Sequence, residues 1–163
     1  MFLHPAKIFK SLVLMSLALT FISCGKPRLF GKDMAIEPIR KDYAVDAKVA
    51  LQAAKEALEI NGYSVQKEDD SKGLLETHWQ ASTSDSHYVI VFNRQDRGTV
   101  GSYHKLVVTV SPKGSGSQVE IYSLAKSFVS NLRSTGIEEE KVFSKLADFT
   151  RKNNIEVTNV GLQ

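Results

Sequence analysis

Downstream of its apolar start the chain carries three histidines, His78, His87 and His104, each in a segment whose alternation predicts a strand. Three imidazoles on neighbouring strands are one way to hold zinc. Alternation sets His78 opposite Trp79 and His87 opposite Tyr88, so the two rings point the same way if those aromatics are inward. No ligand spacing and no adjacent acidic pair accompanies them, so the expectation is partly exposed strand histidines and no metal. Asp85-Ser86-His87 has the letters of a hydrolase triad, but neighbours on an extended chain face opposite ways and cannot form that relay. No G-x-S-x-G elbow presents a nucleophile. Gly114-Ser115-Gly116 lacks the third glycine and the following helix of a dinucleotide site. Gly98-Thr99-Val100-Gly101 has the letters of a nucleic-acid clamp that joins helices, but here it lies between strands. These patterns predict a chain with no catalysis, no cofactor and no nucleic-acid partner.

Cys24 is the only cysteine among 163 residues. Basic Lys7 and Lys10, an apolar stretch from Ser11 to Ile22, and small Ser23 and Gly25 around the thiol form the three parts of an export signal. The stretch is shorter than the about 20 residues that span a bilayer. Outside the cytoplasm an unpaired thiol is a liability, and no second cysteine is there to bridge it. The pattern resembles the lipobox of bacterial lipoproteins, in which the cysteine becomes the first mature residue and receives acyl chains. Ser23 and Ile22 match its small and tolerant positions, and Phe21 stands where leucine is usual. The resemblance implies that residues 1–23 are a lipoprotein signal peptide and that Cys24 is the lipidation site, several acyl chains giving stable anchoring. Cleavage after Gly25 by ordinary signal peptidase is the alternative, and it releases a soluble periplasmic protein. Gly25 is not the aspartate that retains enterobacterial lipoproteins at the inner membrane. The expected place is therefore the periplasmic face of the outer membrane, with the inner membrane as the other destination.

The formal net charge is +3, and without residues 1–23 the balance is 19 basic against 18 acidic side chains, which calls for neither nucleic acid nor an acidic substrate. The chain beyond Cys24 has the size of one core. Residues 24–42, interrupted by Pro27, Gly31 and Pro38, read as a lipidated tether that spans on the order of 60 Å if extended. Residues 43–163 read as a single domain. A helix from Asp42 or Asp46 to Asn61 carries Ala47, Leu51, Ala54 and Leu58 on one face, and Gly62 closes it. Strands come next at 63–67, 74–80, 87–94, 103–110 and 118–124, with Pro112 and the glycines of 111–117 forming a hairpin loop. Thr135-Gly136-Ile137-Glu138 has capping-box spacing and opens a helix to Asn153, striped by Val142, Phe143, Leu146, Phe149 and Thr150. The tail from Ile155 to Val160 alternates as a short edge strand.

This order predicts an α+β fold: an antiparallel sheet of four to five strands with an N-terminal and a C-terminal helix packed on one face. Ala57-Leu58, Gly62-Tyr63-Ser64-Val65, Gly73-Leu74-Leu75-Glu76-Thr77 and Trp79 resemble the opening of the helix-grip domains in the NlpB/DapX-type C-subunit lipoprotein of the outer-membrane β-barrel assembly machine. The resemblance covers residues 46–125 and implies a helix-grip-like two-layer sandwich. That family has two such domains and a long N-terminal arm, where this chain has room for one domain and a short tether. Two functions stay open. One is a non-catalytic interaction module for an envelope protein. The other is a binder of a small apolar ligand or lipid between helix and sheet, lined by Trp79, Tyr88, Phe92 and Phe149. Aromatics on the solvent face favour the first, an internal void the second.

Overall fold

The computed structural model describes residues 29, 31–97 and 101–159. Cys24, the expected signal peptide and most of the expected tether lie outside the described residues. The elements are β1 (Lys32–Ala35), β2 (Ile39–Tyr43), α1 (Ala47–Ile60), β3 (Val65–Asp69), β4 (Leu74–Thr77), β5 (Gln80–Ala81), β6 (His87–Val91), β7 (Arg94–Asp96), β8 (Tyr103–Lys113), β9 (Gly116–Ser127), β10 (Leu132–Ser134) and α2 (Ile137–Asn159). The α+β class with two helices on one face of an antiparallel sheet is the one expected from the sequence. Among the described residues the strands are more numerous: seven form the main sheet and three a second, small one.

The scaffold is the long hairpin of β8 and β9, paired from Tyr103 and Lys126 to Lys113 and Gly116. The expected seven-residue loop is a two-residue turn, because Pro112 sits inside β8 opposite Ser117. In a two-residue hairpin the residues flanking the turn exchange hydrogen bonds and the next pair does not. Pro112 therefore occupies a position whose missing N–H the ladder does not need. β4 and β5 pair with β8, and β3 with β4.

β1 and β2 pair with β9 along its other edge, so residues 32–43 belong to the sheet and not to the tether. Alternation explains the placement. Met34 and Ile39 stand opposite Ala125 and Ile121 on the helix-covered face, while Asp33 and Arg40 lie on the outer face against Lys126 and Glu120. Pro38 only separates the two strands.

Helix α1 begins where the Asp46 carboxylate accepts the Lys48 N–H at 2.8 Å. Its alanines, Ala50, Ala53, Ala54 and Ala57, are buried and bring it close to the sheet. It ends at Gly62, φ 83°, where the Tyr63 N–H returns to the Leu58 carbonyl. Helix α2 lays Val142, Phe143 and Leu146 on Leu58, Leu75, Leu106, Val108, Val119 and Ile121 in one core. The expected capping box is not reciprocal: Thr135 Oγ1 accepts the Ile137 N–H at 3.4 Å, but the Thr135 N–H goes to the Ser86 carbonyl and not to Glu138. Thr135 Oγ1 donates to the Asp85 carbonyl at 2.6 Å, and Glu138 turns to Tyr63 and Lys141. The helix runs to Asn159, so the expected edge strand in the tail is not formed.

The expected strand 87–94 is a hairpin, β6 and β7, joined by Phe92 and Asn93, with β10 pairing on the other side of β6. This small sheet packs through Val89 and Leu132 on Ala125, with Met34 and Ile36 beside them.

Gly73 and Gly114 share φ near +60°, but a side-chain carbon at Gly73 would overlap the Val110 carbonyl oxygen, whereas Gly114 faces open space. Gly114→Ala should cost about 1 kcal/mol of backbone strain. Gly73→Ala should cost more than about 3 kcal/mol, because β4 must also part from β8. Urea midpoints of the two variants check this, and equal losses would contradict the packing.

Candidate functional site

On the helix-covered face β9 changes character, from Val119 and Ile121 to Ser123, Ala125 and Ser127. The small side chains leave depth for β6, which lowers His87 onto Ser123. On β8, His104 shares the phase of Leu106, Val108 and Val110 and is likewise turned inward. The two histidines are 1% and 3% exposed, their ring centroids 4.8 Å apart. The expectation of partly exposed histidines is thus corrected for both. His78 is exposed and takes no part, and among the described residues no group of three His, Cys, Asp or Glu is placed to hold a metal.

Each imidazole is satisfied in one neutral tautomer. Ser86 Oγ donates to the Thr83 carbonyl at 3.1 Å, which makes it an acceptor for the His87 Nδ1–H at 2.9 Å. Ser123 Oγ then donates to His87 Nε2 at 3.1 Å. Tyr63 OH donates to Glu138 Oε2 at 3.2 Å, so His104 donates from Nε2 to the phenol oxygen at 3.0 Å and accepts from Ser82 Oγ at Nδ1, 3.3 Å. Burial, with the neighbouring His104, pushes the His87 pKa down to about 4. Burial also lowers that of His104, partly offset by the Glu138 charge. The Tyr63 phenol is raised by burial and then by Glu138.

The Asp85-Ser86-His87 triplet does bring serine to histidine, since a turn at 83–86 replaces extended chain. It does not make a triad: Ser86 spends its proton on Thr83, and Ser123 rather than Asp85 holds the other ring nitrogen of His87. A buried chain of imidazole, phenol and carboxylate can hold protons in register, but neither imidazole meets solvent.

The four aromatics expected to line a ligand do not converge. Trp79 lies on the outer sheet face between two ammonium groups, Lys126 Nζ at 5.1 Å and Lys105 Nζ at 5.5 Å from its ring centroid. Phe149 packs half-buried against the main core, in the phase of the α2 stripe. Phe92 is 96% exposed. Tyr88 lines an open cleft of about 560 Å³ with Ile36, Ile39, Leu132 and Glu139. Glu139 is 2% exposed; burial raises its pKa, and Ser134 Oγ donates to it at 3.0 Å. It escaped the sequence reading as one of three successive acids in a first helical turn. Its spacing from Val142, Phe143 and Leu146 placed it on their stripe all along.

No family model matches the chain, and no curated protein matches it. Among solved structures it is similar to Ara h 8.0201, with 5% identity, a TM-score of 0.46, and coverage of 74% of this chain and 99% of that one. It is similar to CalU16 from Micromonospora echinospora, with 13% identity, a TM-score of 0.43, and coverage of 75% and 80%. A DUF4468 family protein from Bacteroides ovatus gives 13% identity, a TM-score of 0.31, and coverage of 74% and 83%.

An unfolded histidine binds a proton below pH about 6.5, whereas folded His87 does so only near pH 4, so the unfolded state binds more protons between these values. Stability should therefore fall on acidification from pH 6.5 toward 4, by on the order of 3 kcal/mol for this group. His87→Gln, which cannot titrate, should flatten that limb in urea titrations; an unchanged limb would contradict the assignment. Phe92 and Asn93 hold φ 47° and 62° in the β6–β7 turn, a left-handed pair that suits Asn or Gly. Phe92→Asn should raise the free energy of unfolding by about 1 kcal/mol, and a loss would contradict the strained turn.

Proposed function

We propose that the chain is a membrane-anchored bacterial envelope lipoprotein whose domain is a non-catalytic protein-interaction module, held by acyl chains on Cys24 at the periplasmic face of the outer membrane. The observation that carries this reading is the filled seam between helices and sheet. Leu58, Phe143 and Leu146 are buried there against Leu106, Val108 and Ile121, which leaves the surface to do the work. The buried histidines support it, since each spends its ring nitrogens on neighbouring side chains. The partner in this reading is an envelope protein, and a link to outer-membrane assembly rests on the resemblance of residues 46–125 alone. A small apolar ligand, the alternative, draws support from the cleft beside Tyr88.

Anchoring is tested in cells grown with labelled palmitate. The native protein should take up label and sediment with membranes, and Cys24→Ser should take up none and lose its membrane fraction. An unlabelled native protein would contradict the anchor.

A further inference from the structure

One end of the molecule collects apolar side chains that the fold leaves partly or almost wholly exposed. Phe92, 96% exposed, tops the β6–β7 turn, with Ile90 and Val91 exposed behind it. Because Val89 pairs with Leu132, the strand beyond Val89 runs past the loop that precedes β10. In that loop Phe128 is 74% exposed, and Val129 is exposed as well. The same loop leaves β9 at Ser127, the residue opposite Lys32 at the start of β1. Turn, loop and the point where the chain arrives from Cys24 therefore share one end. Backbone strain is held at the same place, since a bulky aromatic occupies the left-handed turn position.

We propose that this end is seated on the lipid bilayer, with Phe92 inserted at the boundary between headgroups and acyl chains. The proposal rests on the lipid-anchor reading above. Cys24 and Lys32 are eight residues apart, at most about 28 Å when extended, so acyl chains on Cys24 keep the start of β1, and with it this end, within that reach of the lipid. At such a tether length a weak aromatic contact becomes an intramolecular one, and its occupancy rises accordingly. Lys32, Arg94 and Arg97 are exposed at this end, beside Asp33 and Asp96, and the basic groups suit anionic headgroups. Acyl chains and inserted ring together fix the orientation of the domain, which acyl chains alone leave free.

Trp79 is the only tryptophan, so Trp79→Phe with Phe92→Trp moves the single indole to the turn. The full acylated chain carrying both changes is reconstituted in phosphatidylethanolamine and phosphatidylglycerol vesicles. A blue-shifted emission, quenched by brominated acyl chains and shielded from aqueous acrylamide, is the expected result. A labelled, vesicle-bound protein whose indole stays hydrated overturns the seating while leaving the anchor intact. A protein without acyl label that does not bind vesicles overturns both. An indole hydrated on vesicles but shielded in intact cells assigns the turn to a protein partner and also overturns the bilayer seat.

Discussion

The structure depends on how small the side chains are on the distal half of β9. Val119 and Ile121 meet the helices, whereas Ser123 and Ala125 are shorter, and the face above them is left for another element to cover. The three-stranded sheet of β10, β6 and β7 supplies that cover. It brings Val89 and Leu132 onto Ala125, and His87 onto Ser123, so the second apolar cluster and the polar cluster arise on two small residues two positions apart in β9.

The polar cluster then ties together parts that are far apart in sequence. Tyr63 leaves α1, His104 stands on β8, Ser123 on β9, His87 on β6, and Glu138 opens α2. Buried polar groups are costly unless every one is satisfied, and here each ring nitrogen of His87 and His104 has a hydroxyl partner. Glu139, buried beside this cluster on the cleft, pulls the pH dependence the other way, since its stabilising contribution is greatest when protonated and declines as pH rises.

Much of the fold was legible because apolar spacing reported it: the phase of Leu51, Ala54 and Leu58, the alternation of Leu106, Val108 and Val110, the stripe of Val142, Phe143 and Leu146. The illegible parts lay where polar residues occupy core positions. His104 continues the alternation of β8 and Glu139 the stripe of α2, yet their chemistry suggested surface. Strands β1 and β2 were hidden for a related reason, since their outer-face charges and Pro38 resemble a linker until β9 is there to pair with them. The aromatics failed as a site because strand phase alone cannot tell a helix-covered face from an open one, which is where Trp79 lies.

The interior is closed by these constraints, while Phe92 and the loop after β9 stay exposed at the end where β1 begins. Hydrogen exchange of the acylated full chain, with and without lipid vesicles, measures the consequence directly. The account predicts slower exchange at residues 90–97 and 128–131 on vesicles, with the helix–sheet seam at 47–60 and 137–151 unchanged. Slowing along the seam instead would mean that lipid enters between helix and sheet, and would contradict it.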